Sequence, residues 1–362
     1  METDVLIIGA GPAGLEAAFE TAVRGLDVMI VDESFTKGGQ LIQQTQLVRF
    51  LPASYSPMRG FELAQKLVDQ LENLPVHYLL GHRVIGMYKD GTIGVTDEKN
   101  VFPVKAKKII VATGAAEKGI PFPKWTLPGI MTIGAAQTLI NRDLVLPGEN
   151  AVILGSSDFA LDVALQLSDV GVKVKGIFES RQNIAARDLD KHELIDKSGI
   201  PVYLNASVKE ARGQGKVEEI DIGLLEEVIT EKVDFVCVDG GRAPILDVFY
   251  QCNCSFGYQE TLGGWLPQYN KRMQTSHEHV YLAGNAAGIT TQGFLLVTGR
   301  IAGISVCEAL GVLDKEKAEQ LRSSMWKELE TLETKLFPDS WHARVNHVEN
   351  FKHPLLKDQF LS

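Results

Sequence analysis

Apolar residues in this chain gather in short runs that stop at a glycine or an acid. Val5 to Ile8 and Val28 to Val31 are continuous apolar stretches, the pattern of strands buried on both faces of a parallel sheet. Between them Leu15, Ala18, Ala22 and Val23 recur with helical period. The same strand-then-helix rhythm returns at "VILG" (Val152 to Gly155), and beyond its helix comes "GIFES" with Glu179. Phe61, Ala64, Leu67, Val68 and Leu71 mark one face of another helix. From Val76 to Val111 short β-like runs follow, with Asp90-Gly91 suited to a hairpin turn. "PFPKWTLPG" (Pro121 to Gly129) reads as an extended linker. Near the end, Leu321, Met325, Leu329, Leu332 and Leu336 make an apolar stripe on a helix otherwise rich in Lys and Glu. After it, Phe337 to Phe351 reads as a loop carrying Trp341 and Phe351, packed on the chain's own body or offered to a partner.

Composition narrows the class. At 362 residues the chain suits two domains, and 45% hydrophobic content with mean hydropathy near zero is that of a globular protein. A net charge of −10 argues against nucleic acid, whose phosphates demand a basic face. No apolar run reaches the length of a spanning helix. No positive region precedes the apolar segment at residues 5–10, so a signal peptide is not expected. Cys237, Cys252, Cys254 and Cys307 do not make a disulfide framework, and buried thiols in a reducing cytoplasm are the expectation. His342, His347 and His353 lack metal-ligand spacing and read as solvated loop residues, so no metal is expected.

The candidate chemistry sits in the first strand-helix-strand unit. Gly9, Gly11 and Gly14, with Pro12 and Ala13 between them, form G-x-G-x-x-G at the strand-to-helix turn. In such a turn the first glycine permits the bend, the second admits a pyrophosphate to the backbone, and the third lets helix and strand pack closely. The helix N-terminus adds partial positive charge. Asp32, followed by Glu33, ends the second strand where a carboxylate can accept ribose hydroxyls. The later turn is a damaged copy: Gly155, Ser157 and Ala160 occupy the three glycine positions. Ala is an allowed third residue, so the obstruction falls on the Ser157 side chain. Glu179 stands at the ribose position, and no basic pair follows to welcome a 2′-phosphate. NAD at this second unit is therefore a doubtful alternative, and a structural remnant the favoured one.

Four further segments extend the pattern: "KGGQL" (Lys37 to Leu41), "KKIIVATGA" (Lys107 to Ala115), "HVYLAGNAAG" (His279 to Gly288) and "GFLLVTGRIAG" (Gly293 to Gly303). In this order they resemble the two-dinucleotide-binding-domain FAD-dependent pyridine nucleotide-disulfide oxidoreductases, over residues 1 to about 310. The resemblance implies an α/β fold of two nested doubly wound Rossmann-like domains, as in thioredoxin reductase. Its divisions would be 1–116 and 244–310 for FAD, an inserted NAD-binding-like domain at 117–243, and a C-terminal helix and tail at 311–362. It implies FAD held by Gly9, Gly11, Pro12, Ala13, Gly14, Asp32 and Glu33, with Gly39 and Gln40 along the diphosphate and flavin. Thr113 and Gly114 would mark the crossover, and Gly284, Asn285, Gly293 and Phe294 would complete the site. One residue departs from the family: Asn285 stands where Asp usually binds a ribityl hydroxyl, which implies weaker flavin affinity.

A second departure concerns the thiols. The family's redox-active Cys-x-x-Cys would fall between the "ATG" strand and the second glycine turn, and that span has no cysteine. Disulfide reduction is thereby excluded. "TLPGIMTIGAAQTLI" (Thr126 to Ile140), "LPGENAVILGS" (Leu146 to Ser156) and "LGGWLPQYNKRMQTS" (Leu262 to Ser276) are similar to segments of opine oxidase, hydrogen cyanide synthase and dye-linked proline dehydrogenase subunits. That likeness implies an electron-transferring component of an amino-acid or amine dehydrogenase complex. Its partners would be an electron-acceptor protein and a second flavin-containing dehydrogenase subunit. Relatives of this type often end in a cysteine-rich iron–sulfur domain, which the helix and tail replace here. Two other readings stay open: a stand-alone NADH-dependent reductase of an unknown acceptor, and a non-catalytic nucleotide-binding scaffold. No catalytic residue is assigned.

Overall fold

A computed structural model describes residues 1–88 and 91–351, and the chain divides into two compact units, Met1–Ala116 with Ala243–Ser362, and Glu117–Arg242. In the first unit, strand Glu2–Ile8 lies between Val28–Asp32 and Val101–Val111 and pairs parallel with both. Val76–Leu80 adds a parallel strand beyond Val28–Asp32. The long strand Val101–Val111 does two jobs. Its start pairs antiparallel with Thr92–Thr96, and its end pairs parallel with Val280–Leu282. Val5, Leu6 and Ile7 are wholly buried, as a strand covered on both faces requires. Arg83–Met87 and Thr92–Thr96 pair as antiparallel neighbours. Of the turn expected between them, Asp90 lies outside the described residues.

Two helices fix the geometry of the glycine turn. Pro12–Ala22 follows Glu2–Ile8, and Gln292–Ala309 packs across it. Their close approach depends on Gly299 and Gly303, one helical turn apart. A Cβ on Gly299 would stand 2.3 Å from the Ala13 carbonyl oxygen, and one on Gly303 would stand 2.9 Å from that of Ala17. Beside this seam the buried Glu16 receives Arg300 (Nε to Oε2 2.8 Å) and the Tyr55 hydroxyl. The charge is thereby paired and hydrogen-bonded, as a buried carboxylate requires.

The C-terminal segment differs from its sequence reading. Pro338–Glu349 is a helix, preceded by the helix Lys315–Leu336. Pro338 at its first turn supplies the helix start, where its missing N–H costs nothing. His342 and His347 are therefore helical. His342 is exposed, with Nδ1 2.8 Å from the Pro338 carbonyl oxygen. His347 is buried, with Nε2 2.9 Å from the Pro267 carbonyl oxygen; burial holds its pKa below the usual range. His353 lies outside the described residues. Trp341 packs beside Trp326, with ring centroids 6.1 Å apart, against the first unit's core.

The second unit carries five parallel strands in the order Ile130–Thr132, Phe235–Val238, Asn150–Leu154, Lys173–Phe178 and Val202–Tyr203. A three-stranded antiparallel meander, Ser207–Arg212, Glu219–Gly223 and Val228–Lys232, completes it. The segment expected as an extended linker is a series of turns instead, with Trp125 N–H on the Phe122 carbonyl and Leu127 N–H on that of Lys124. Phe122 is buried beneath it, so apolar burial overrides the extended bias of its prolines.

Candidate functional site

The first glycine turn is open. Gly9 adopts φ +113°, and a Cβ there would stand 2.3 Å from the Ala112 carbonyl oxygen, so only glycine turns here. Gly14 lies against the Gly9 carbonyl, where a Cβ would reach 1.9 Å. Gly11 caps the helix Pro12–Ala22 with no side-chain hydrogen bond. The backbone N–H groups of Gly11, Ala13 and Gly14 find no acceptor among the described residues. Three orphan donors at a helix start, together with the helix dipole, suit an anion such as a diphosphate. Gly39 faces them: a Cβ on it would stand 2.8 Å from the Gly11 Cα. This glycine-against-glycine gap is a cradle that side chains would close.

Around this turn the structure gathers most of the residues singled out from sequence. Asp32 accepts the Ala10 N–H at 2.6 Å and the Ser34 N–H at 2.7 Å, leaving further lone pairs for hydroxyls. Gly284, at φ +70°, closes on Ala13, where a Cβ would approach its Cβ to 2.9 Å. Asn285 follows, half-buried, with a side chain that no group among the described residues engages. Gln40 is exposed and accepts from Gln43, and Glu33 is exposed beside Asp32. Thr113 donates to the Ile245 carbonyl at 3.0 Å, and Ile245 N–H returns to Gly114, so this pair ties the two crossing segments together. Gly293 and Phe294 are engaged within the protein. Gly293 abuts the Phe50 carbonyl, and the buried Phe294 ring lies 4.0 Å beneath the Arg344 guanidinium.

Arg344 belongs to a buried network with no counterpart in the sequence reading. It is wholly buried and grips Glu333 through two hydrogen bonds of 2.8 and 2.7 Å. It also donates to the Ala287 carbonyl and to the Tyr269 hydroxyl. Glu333 further accepts from Thr290 at 2.8 Å. The C-terminal helices thus brace the loop from Gly284 to Thr290 that flanks the first turn.

The second turn has the same backbone plan with the donors at its second and third glycine positions filled. Gly155, at φ +103°, bends against Asp239, whose carbonyl oxygen a Cβ would meet at 2.6 Å. Ser157 N–H donates to the Asp239 carboxylate at 3.0 Å. The Ser157 hydroxyl accepts the Ala160 N–H at 3.3 Å and caps the helix Asp158–Asp169. The Ser157 side chain is therefore a helix cap, a role the residue type favours. Glu179 is buried, with its carboxylate taken by the Ser156 hydroxyl at 2.6 Å and the Arg181 N–H at 3.0 Å.

No dithiol accompanies either turn. All four cysteines are buried and unpaired. Burial pushes Cys252 and Cys307 up to about 12 and Cys254 to about 11, and raises Cys237 as well. Thiols held so far above neutrality do not form the thiolate that exchange chemistry needs. Among the described residues no cluster of His, Cys, Asp and Glu could hold a metal ion, and no helix is long and apolar enough to cross a membrane.

Comparison with known proteins agrees with this arrangement. The chain is 28% identical to hydrogen cyanide synthase subunit HcnB of Pseudomonas aeruginosa, over 90% of this chain and 75% of that protein. It is 24% identical to an opine oxidase subunit of Rhizobium meliloti, over 85% of this chain and 71% of that protein. Its fold is similar to that of L-proline dehydrogenase from P. horikoshii, with TM-score 0.73 and 20% identity, over 91% of this chain and 59% of that one. Thioredoxin reductase of T. acidophilum superposes with TM-score 0.70 and 23% identity, over 85% of this chain and 99% of that one. The sequence pattern of the pyridine nucleotide-disulphide oxidoreductases matches residues 3–309, and the chain belongs to that family.

Proposed function

We propose that the chain is an FAD-dependent oxidoreductase subunit that transfers electrons within an amino-acid or amine dehydrogenase complex. The observation that carries this reading is the contrast between the turns: three unengaged N–H groups at Gly11, Ala13 and Gly14, against filled donors at Ser157 and Ala160. FAD would lie on the first turn, its diphosphate on those amides, its adenosine ribose on Asp32 and its ribityl chain at Asn285. Residues 1–116 and 244–310 would form the FAD domain, 117–243 an NAD-binding-like insertion, and 311–362 a C-terminal brace. Bound there, FAD supplies the two-electron chemistry, and the chain's own residues orient it and exclude water. Without a redox dithiol, and with the second turn engaged, electrons would come from a second flavin-containing subunit, then leave to an acceptor protein. The relatives named as subunits of opine oxidase and hydrogen cyanide synthase support such a partnership. Unpaired cysteines fit a reducing cytoplasm.

The test is reconstitution. Purified chain should bind FAD noncovalently, and its flavin should be bleached by proline, sarcosine or glycine only when the partner subunit is present. Rapid bleaching of the isolated chain by micromolar NADH would overturn the electron-transfer reading and promote a stand-alone NADH reductase. Glu179 at the ribose position of the second unit is the feature that favours that alternative.

A further inference from the structure

The turns of the two units share a plan, and one position separates them. In the first, the strand Val101–Val111 is followed by Ala112, whose carbonyl packs on Gly9; in the second, Phe235–Val238 is followed by Asp239, whose carbonyl packs on Gly155. Ala112 and Asp239 are thus structural equivalents. The small residue leaves the amide of Gly11 unengaged, whereas the carboxylate takes the amide of Ser157. We propose that Asp239 is a built-in stand-in for a nucleotide diphosphate, and that it determines, together with the Ser157 hydroxyl, that the second unit excludes adenine dinucleotides.

Three observations converge on this. The donors that the first turn leaves at its second and third glycine positions are, in the second turn, met by the chain's own oxygens: Asp239 at Ser157 and Ser157 at Ala160. A second carboxylate, that of Asp158, opens the same helix and accepts the N–H groups of Arg187 and Asp188, at 3.1 and 2.8 Å. Finally, Ser156 ties the turn to the segment that follows Glu179: its hydroxyl accepts the Ala185 N–H at 2.8 Å and its carbonyl the Ala186 N–H at 2.7 Å. An entering diphosphate would have to displace one carboxylate and approach another, with like charge opposing it at each step. The proposal concerns the second unit alone and is independent of whether FAD occupies the first.

Full-length protein carrying Gly11→Val, which silences the first turn, is titrated calorimetrically with ADP and with NADH. To this background are added Ser157→Gly, Asp239→Asn, Asp239→Ala, and Ser157→Gly with Asp239→Ala. Without further change there should be no saturation at millimolar ligand, and Ser157→Gly should add little, because Asp239 still holds the amide. The double change should tighten binding at least about tenfold over Ser157→Gly, the worth of a freed charge-accepting donor. Asp239→Asn, which keeps shape and acceptor but drops the charge, should fall between, and it carries the test if Asp239→Ala fails to fold. Micromolar binding without the added substitutions, or equal affinity of Ser157→Gly and the double variant, would overturn the proposal. A chain that never binds FAD but gains ADP binding on loss of Asp239 would sink the proposed function and leave this inference standing.

Discussion

The two glycine turns are built from the same strand-turn-helix plan and have gone opposite ways. At Gly11 the helix begins without a side-chain cap, so its first N–H groups wait for a ligand. At Ser157 the helix begins with a cap and a neighbouring carboxylate, so the N–H groups of Ser157 and Ala160 are already satisfied. An N-cap of this type contributes about 1 kcal/mol to the helix it starts. The second unit's turn is therefore partly closed by its own side chains, while the first keeps three donors that a bound diphosphate would satisfy. The same side chains that engage the turn's donors also stabilise the helix it starts. The first unit should accordingly melt higher as FAD is added, by mass action, and the second should not.

The sharpest way to break the contrast is to remove the brace that only the first unit has. Arg344→Leu leaves Glu333 charged and wholly buried without its bidentate partner, and leaves the Ala287 carbonyl to the Tyr269 hydroxyl alone. Stranding one member of a buried ion pair costs about 3–5 kcal/mol. Differential scanning calorimetry should show the first unit's transition falling while the second unit's transition stays in place. A common shift of both would show that the brace is not local. Next in size is Gly11→Val. Its φ of −78° is open to any residue, so the fold should survive, but the side chain stands in the gap facing Gly39. FAD affinity should fall at least about a hundredfold, the worth of roughly 3 kcal/mol of backbone contacts. A full yellow spectrum in the purified variant would refute the assignment of the site.

Much of this contrast is legible in the sequence because it depends on local rules. Gly9 and Gly155 sit at φ above +100°, which is a demand on one residue type that a reader can see. Runs such as Val5–Ile8 announce doubly covered strands, and their order sets the parallel sheet. What escapes a sequence reading is held by partners far along the chain. Asp239 reaches Ser157 across 82 positions, and nothing near either residue signals the pairing. The stripe on the helix Lys315–Leu336 is visible, yet its buried face also carries Arg322 and Glu333, two charges that any hydropathy pattern assigns to solvent. Pro338–Glu349 reads as a loop for the same reason: its buried positions are Ser340, Arg344, His347 and Val348. Polar residues that bury by pairing are invisible until the pair is seen.

The second unit also carries an acid that should make it respond to pH. Asp162 is pushed up to about 6, chiefly by burial, against the pull of the Lys191 ammonium 2.6 Å away. Because the folded value lies above the ordinary carboxylate value, its contribution is fully present below pH of about 4 and is lost as pH rises through about 6. The second unit should lose up to about 2 kcal/mol across that window. Denaturant melts of the wild type and Asp162→Asn at pH 4.5 and pH 7.5 check this: the variant should show a flatter profile. An identical pH dependence in both would place the titrating group elsewhere.

The smallest expected effect lies in the first unit, at Asn285. Its backbone is fixed by the Gly288 N–H on its carbonyl at 3.0 Å, and the loop behind it by Arg344 on Ala287, so a change of side chain should not move the chain. Asn285→Asp keeps the size of the group and replaces a neutral acceptor with a charged one. Two features favour the charge: the residue stands in the first turn of a short 3-10 helix, and no group among the described residues already engages its side chain. A hydrogen bond from a ribityl hydroxyl to a carboxylate is stronger than one to an amide by about 1 kcal/mol, which is roughly fivefold in affinity. Half-burial limits the gain, because the new charge gives up part of its hydration. Titration of the apoprotein with FAD should therefore show tighter binding by several-fold, with the second unit's melting unchanged. If affinity stays level or falls, the first turn has adapted to the neutral amide, and the difference between the two units would then rest on the glycine turns alone.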